Sequence, residues 1–357
     1  MKKIDWYIIK KFLGTFFFTI ALILVIVIIF DISEKIDDFL EHNLDKKSIA
    51  KYYLNFIPYF GNLFSHLFIF ISVIFFTSRL ANNTEIIAIL NSGMSFRRLL
   101  RPFILSAFIL AVISFLLGNF IIPVSNIKRI DFENKYFSNK TQYPVERNIH
   151  IQVNPGQYIY MESFNTKRKI GYKFSLENFK NGQLTSRLKS NYITFDSTQN
   201  RWQVNQYEIR DFLHDPKFKK GTKLDTVLNL HPKEFTKNAN LVETMNMFEL
   251  NKYIAKEELK GSQHLIYYKI EKHKRIAFPF ASIILTLIAV AIASKKIRGK
   301  IGAHLGIGIL VAFTYILFMQ ISTTFATNSN LTPEIAVWIP NFIYMIIGGV
   351  LIYNTQR

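Results

Sequence analysis

Uncharged stretches long enough to cross a bilayer fall into two groups of three, with a long polar segment between the groups. The first group is Phe12–Phe30, Tyr52–Ser78 and Pro102–Ile127; the second is Ile276–Ser294, Ile301–Pro333 and Ile335–Gln356. A span needs roughly 20 mostly apolar residues, because the hydrocarbon core is about 30 Å thick and a helix rises about 1.5 Å per residue. The pattern predicts an α-helical membrane protein with six transmembrane helices. Its divisions are residues 1–127 with spans 1–3, an inserted domain over 128–272, and residues 273–357 with spans 4–6. The first stretch lacks a short apolar core and a small-residue cleavage site, so it reads as a retained helix and not as a signal peptide.

The net charge is +19, which by itself suggests a nucleic-acid partner. The placement of the charge argues against one. Lys2, Lys3, Lys10 and Lys11 precede span 1. Arg79, Arg97, Arg98 and Arg101 lie between spans 2 and 3, Lys295, Lys296, Arg298 and Lys300 between spans 4 and 5, and Arg357 at the end. Basic residues at span ends set topology, and these put both termini in the cytoplasm. The loop from Asp31 to Lys51 is net acidic, as an external loop can be. The insert then lies outside the cytoplasm, and its own basic character is no obstacle, because long domains translocate largely regardless of charge. With no cysteine, the chain has no disulfide, thiolate nucleophile or Cys-type zinc site.

Within the insert, Ile170 to Glu177 alternates with the period of a strand, placing Ile170, Tyr172, Phe174 and Leu176 on one face. Asn181-Gly182 then suits a type I′ hairpin turn. Further strands are expected at Ile149–Val153, Gln157–Glu162, Arg187–Phe195, Trp202–Arg210 and Leu224–Leu230, punctuated by Asn154-Pro155-Gly156 and Asp215-Pro216. The alternation slips between Val204 and Tyr207, which predicts a bulge. Many short strands imply an all-β sandwich, jelly roll or open barrel. A helix is expected near 247–260, with Gly261 as its stop. Such a domain could be a lipid-binding groove, a spacer or a docking platform.

Nucleotide and hydrolase signatures are missing: no Gly-x-x-x-x-Gly-Lys-Ser/Thr loop, no His-Glu-x-x-His, no Gly-x-Ser-x-Gly. No cofactor or metal is called for. The only histidines within the spans are His66 and His304, and the spans contain no carboxylate, which disfavours an ion-coupled carrier. The most informative short segment is the loop between spans 2 and 3. A helix is expected over about 82–92, with Ile86, Ile89 and Leu90 on one face and Gly93 ending it. It could dock a separate ATPase or rest on lipid headgroups. Glu85, three residues after Asn82, also has the spacing of a capping glutamate.

Four segments together carry a resemblance. They are Asp5-Trp6-Tyr7-Ile8-Ile9-Lys10-Lys11-Phe12, Asn83-Thr84-Glu85-Ile86-Ile87-Ala88-Ile89-Leu90 with Ser92-Gly93-Met94-Ser95, His273-Lys274-Arg275-Ile276-Ala277-Phe278-Pro279, and Leu331-Thr332-Pro333-Glu334-Ile335-Ala336-Val337-Trp338-Ile339-Pro340-Asn341. With the three-plus-three layout, they make the chain resemble the LptF/LptG permeases of the lipopolysaccharide exporter along nearly its whole length. The amino-terminal segment and Glu34-Lys35-Ile36-Asp37-Asp38-Phe39 look more like the LptG-like branch. The resemblance implies a bacterial inner-membrane subunit with a periplasmic β-jellyroll domain. Its implied partners are a second permease of the family, a homodimeric cytoplasmic ATPase, periplasmic β-bridge proteins and lipopolysaccharide as cargo. The family's coupling-helix glutamate maps onto Glu85, and Asn82, Ile86, Ile89 and Leu90 accompany it. The family's lateral gate lies between spans 1 and 5, which makes Phe30, Lys35 and Tyr315 candidate gate residues, and Tyr172 and Phe174 candidates for the lipid path in the insert. The competing readings are a permease for another envelope lipid or lipoprotein, and a non-transport scaffold with an external docking domain. Lipoprotein permeases usually have four spans and a large domain after the first, unlike this chain.

Overall fold

The structure, a computed structural model, describes residues 3–137, 146–165, 168–197, 199–212, 218–226, 228, 230, 232, 239–262, 264–295, 301–328 and 331–356. The Asp215-Pro216 turn and the basic residues Lys2, Lys296, Arg298, Lys300 and Arg357 lie outside these residues. In chain order the elements are α1 (Lys3–Glu41), α2 (Lys46–Asn82), α3 (Glu85–Asn91), α4 (Phe96–Leu116), a π-helical turn (Leu117–Ile121) and α5 (Ile122–Tyr136). Then come β1 (Glu146–Asn154), β2 (Gln157–Asn165), β3 (Ile170–Lys180), β4 (Gln183–Asp196), β5 (Arg201–Asp211) and β6 (Phe218–Thr226). The chain ends with α6 (Ala239–Glu243), α7 (Met247–Leu259), α8 (Leu265–Ala293), α9 (Ile301–Asn328) and α10 (Pro333–Gln356). Two compact units result: Met1–Phe137 with Glu243–Met247 and Ile266–Arg357, and Ser138–Val242 with Phe248–Leu265.

The first unit is helical. Among the described residues, six helices are long and apolar enough to cross a membrane: α1, α2, α4 continued into α5, α8, α9 and α10. The protein is therefore a multi-pass membrane protein with an inserted β domain. The main core joins Phe12, Phe70, Ile74, Phe103, Leu285, Ile288 and Tyr315. Gly308 brings α9 against Ile74 of α2, where a Cβ would collide with the isoleucine. Several helices overshoot a bilayer. With 39 residues, α1 is about 58 Å long against a hydrocarbon core of about 30 Å. Where α1 meets α2, a second core of Phe39, Tyr52, Tyr53 and Phe56 packs against Phe60, Phe132 and Phe137. The third span carries its irregularity for a local reason. Pro123 has no N–H to give the carbonyl four residues back, so the ladder widens into a π turn just before it.

The second unit is an antiparallel sheet in the order β1-β2-β3-β4-β5-β6, a plain meander with no Greek-key crossover among the described strands. Asn181 and Gly182 both have positive φ and join Lys180 to its partner Gln183, the two-residue hairpin expected. Gly156 (φ +76°) turns β1 into β2; a Cβ there would lie 2.6 Å from the Phe179 carbonyl oxygen. Trp202 is the largest fully buried side chain, and its Nε1 donates to the Leu230 carbonyl at 2.8 Å. That bond belongs to chain leaving the sheet. β6 lies at Phe218–Thr226, earlier than the expected Leu224–Leu230, because it runs in register from Arg210↔Phe218 to Trp202↔Thr226.

The expected bulge near Val204–Tyr207 is absent. Register is continuous from Tyr192↔Asn205 to Ser190↔Tyr207, and the slip is absorbed by Gln206, which turns left-handed at φ +52°. Asn148 (φ +53°) in β1 and Lys173 (φ +49°) in β3 stand at the same level of alternate strands, opposite Glu162 and Asn191. Each left-handed residue shifts the in–out alternation by one. In β3 this separates the face predicted from the sequence. Gly171 and Phe174 point inward, while Tyr172 is 40 % exposed and Phe174 only 1 %.

Candidate functional site

The junction after α2 is built from its own turn. α2 runs through Asn82, and only Asn83 and Thr84 separate it from α3. Thr84 precedes α3 with a left-handed backbone (φ +58°) and gives no side-chain cap. The capping-box reading therefore fails: Asn82 is the last residue of α2, and Glu85 opens α3 instead of standing at its third position. Ile86 is buried, and Ile89 and Leu90 pack against the main core with Met94. These three anchor α3 to its own chain. Ile87, Ala88 and Asn91 are exposed on α3.

Glu85 is half-buried. It accepts from Asn83 Nδ2 at 3.2 Å and from Tyr7 Oη at 3.3 Å. Tyr7 belongs to α1, so α3 and the start of span 1 share a contact. A stronger tie lies beside it. Asp5, 4 % exposed, pairs with Arg98 at 2.6 Å, and Ser95 caps α4 by accepting from the Arg98 N–H at 3.3 Å. Arg98 is thus engaged with α1. Asp5 was legible as the one acid in a basic amino terminus, although nothing local revealed its partner 93 residues away.

At the other end of α1, Lys35 bonds Asp31 and the Tyr52 hydroxyl, each at 2.7 Å, and sits 5.1 Å from the ring centroids of Tyr52 and Phe137. Tyr53 donates to Asp31 at 2.8 Å and Tyr52 to Glu133 at 3.0 Å. Arg129 pairs with Glu133 at 3.2 Å and with Glu243 at 3.4 Å, and Tyr59 donates to Glu243 at 3.1 Å. Burial, with Glu271 adding repulsion, holds the Glu243 carboxyl above the usual carboxylate range. Lys35 therefore rests in a polar, aromatic setting, and an incoming phosphate must compete with Asp31. The i, i+4 spacing of Arg129 and Glu133 hinted at part of this cluster; Glu243 carried no local signal.

The candidate gate residues are not gathered at one point. Phe30 is 72 % exposed on α1. Tyr315 is fully buried and donates to Asn341 at 2.9 Å, which in turn donates to the Ala277 carbonyl at 3.1 Å. α1 packs on α2 and α4, α9 packs on α2 and α10, and no extensive contact joins α1 to α9. Both helices leave long apolar faces open: Phe18, Leu22 and Val25 on α1, and Leu310, Phe313 and Phe325 on α9.

A family model described as lipopolysaccharide export system permease LptF/LptG matches residues 6–354. No curated protein matches the chain.

Proposed function

The chain belongs to the LptF/LptG family of lipopolysaccharide export permeases, and from that premise we propose that it is the non-catalytic membrane subunit of an ATP-driven exporter. α3 is the seat of a separate ATPase, which docks on the exposed side of Ile87, Ala88 and Asn91 beside Glu85. The observation that carries this reading is the shared junction of α3 and α1. A push on α3 reaches span 1 through Glu85 and Tyr7, while Asp5 and Arg98 tie the foot of that span to span 3. Span 1, apolar on its outer side and held by polar contacts at its two ends, then serves as the movable side of a lipid gate. Span 5 of a second family permease faces it. The insert is the periplasmic receiver that passes lipopolysaccharide to a β-structured bridge, with both termini in the cytoplasm of a bacterium and the spans in its inner membrane.

Two experiments test this. In the natively co-purified complex, lipopolysaccharide should stimulate ATP turnover, and Glu85→Gln, which keeps the Asn83 hydrogen bond but removes the charge, should lower that stimulation without dissociating the ATPase. Unchanged turnover would remove Glu85 from the coupling route. For orientation, Lys189→Cys and Ser92→Cys place thiols at exposed positions in the insert and at the end of α3. An impermeant thiol reagent on spheroplasts should label the first and spare the second; the reverse pattern would invert the topology.

A further inference from the structure

Spans 2, 3, 4 and 5 enclose a half-open chamber of about 520 Å³, within the size of ordinary ligand sites, roughly 300–1,000 Å³. It lies within one chain, away from the open faces of α1. Its polar lining gathers where α5 and α8 lead into the insert, at Tyr59, Glu271 and Lys274; Leu67 and Phe278 line it farther along the helices. From Tyr59 to Leu67 is about 12 Å of helical rise.

Three features mark the chamber as a built site. The π turn of span 3 carries Gly118 into its wall, and a Cβ there would come no closer than 3.6 Å to Asn62 Nδ2. Such turns recur at functional positions in helices. His66, 8 % exposed, stacks on Phe278 with ring centroids 5.1 Å apart and leaves Nδ1 without a hydrogen-bond partner. Lys274 has no ion-pair partner among the described residues. The neighbouring carboxylates are already engaged: Glu271 lies 3.8 Å from Arg275, which also donates to the Met245 carbonyl, and Glu243 is held by Arg129 and Tyr59.

We propose that this chamber takes one acyl chain of a phosphate-bearing amphiphile, with the phosphate against Lys274 and the chain running past Phe278 to His66. A void with apolar walls forfeits dispersion contacts on its open side. In a bilayer the species at hand to restore them are acyl chains. Lipid is apolar everywhere, so selectivity comes from the polar end, and basic pockets between membrane helices suit phosphate headgroups. The free Nδ1 of His66 fits an ester or hydroxyl oxygen on the chain. Membrane phospholipid and lipopolysaccharide share this chemistry. The inference needs the membrane architecture but not the export reading.

The test uses the full chain in its natively purified complex, placed in phosphatidylcholine nanodiscs. Photoreactive-tailed phosphatidylglycerol or lipopolysaccharide is added, and the adducts are mapped by peptide mass spectrometry. Adducts are expected on the chamber residues of α2 and α8. Lys274→Gln should weaken them roughly tenfold, the loss of one charge-assisted contact. Gly118→Phe, which fills the chamber, should abolish them while adducts on the outer face of α1 persist. Met319→Trp fills the chamber from α9, so misfolding of one variant leaves the other as a test. Preference for phosphatidylglycerol assigns a resident membrane lipid; preference for lipopolysaccharide assigns a cargo subsite. Adducts confined to outer faces, or equal yield with the chamber filled, would overturn the proposal whatever the transport assay shows.

Discussion

Spans 1 and 4 look alike in the sequence and live in different surroundings. In its most apolar window α1 is 11 % buried, whereas α8 is 67 % buried. α1 turns Phe17, Phe18, Leu22, Val25 and Phe30 outward, while α8 buries Ala277, Ala281, Ser282, Ala289 and Ala293 against its neighbours. The contrast follows from the solvent. Lipid tails are as apolar as leucine, so large side chains gain little by turning inward, and helices approach closely where residues are small. α8 is buried at intervals from Tyr268 to Ala293. α1 buries Ile8, Ile9, Phe12 and Phe16 near its amino end, has no fully buried residue from there to Phe39, and carries polar ties near both ends, Asp5 to Arg98 and Tyr7 to Glu85 at one, Lys35, Asp31 and Tyr53 at the other. The stretch of α1 between Phe16 and Phe39 can therefore shift with less repacking than α8 would require.

The largest expected effect separates the two helices directly. Ala289→Phe forces a ring into a fully buried site on α8 and should cost about 1–3 kcal/mol or more. Val25→Phe on α1 should stay within about 0.5 kcal/mol. Thermal unfolding of the purified complex would measure both, and similar losses would erase the distinction. Next comes the clasp. Asp5→Ala leaves Arg98 without its carboxylate, so hydrogen exchange should quicken over residues 3–12 and remain unchanged in α8. Exchange that quickens in both would mean that Asp5 supports the whole bundle. The smallest effect belongs to Tyr7→Phe, which deletes one partly exposed hydrogen bond worth about 0.5–1.5 kcal/mol at most. Stability should barely move, while lipopolysaccharide-stimulated ATP turnover falls. A turnover equal to that of the unaltered chain would show that α3 reaches α1 by another contact.

How far the sequence could be read follows from the same physics. The six spans were legible because apolar runs are a direct consequence of bilayer thickness, and the Asn181-Gly182 hairpin because few other residues accept its backbone. The left-handed line through Asn148, Lys173 and Gln206 was not, since none of them is glycine and only the alignment of neighbouring strands shows that they share a level. Around the candidate site, the capping position expected of Glu85 does not form, because α2 continues to Asn82 and Glu85 is the first residue of α3. Tyr315 gave no sign in the sequence of its buried hydrogen bond to Asn341 on the next span. Lys35 and Asp5 are tied to residues on other helices, and such ties are invisible to spacing along one.

The most direct measurement is the movement of α1. The chain has no cysteine, so spin labels can be placed without altering native thiols. Labels at Val25 on α1, Phe280 on α8 and Ile346 on α10 all sit at exposed positions. In the natively co-purified complex, the Val25–Phe280 distance distribution should shift when ATP replaces the nucleotide-free state, the Phe280–Ile346 distribution should not, and Asp5→Ala should blunt the shift. Unchanged Val25–Phe280 distances, or equal shifts in both pairs, would contradict a movable first span working against a fixed core.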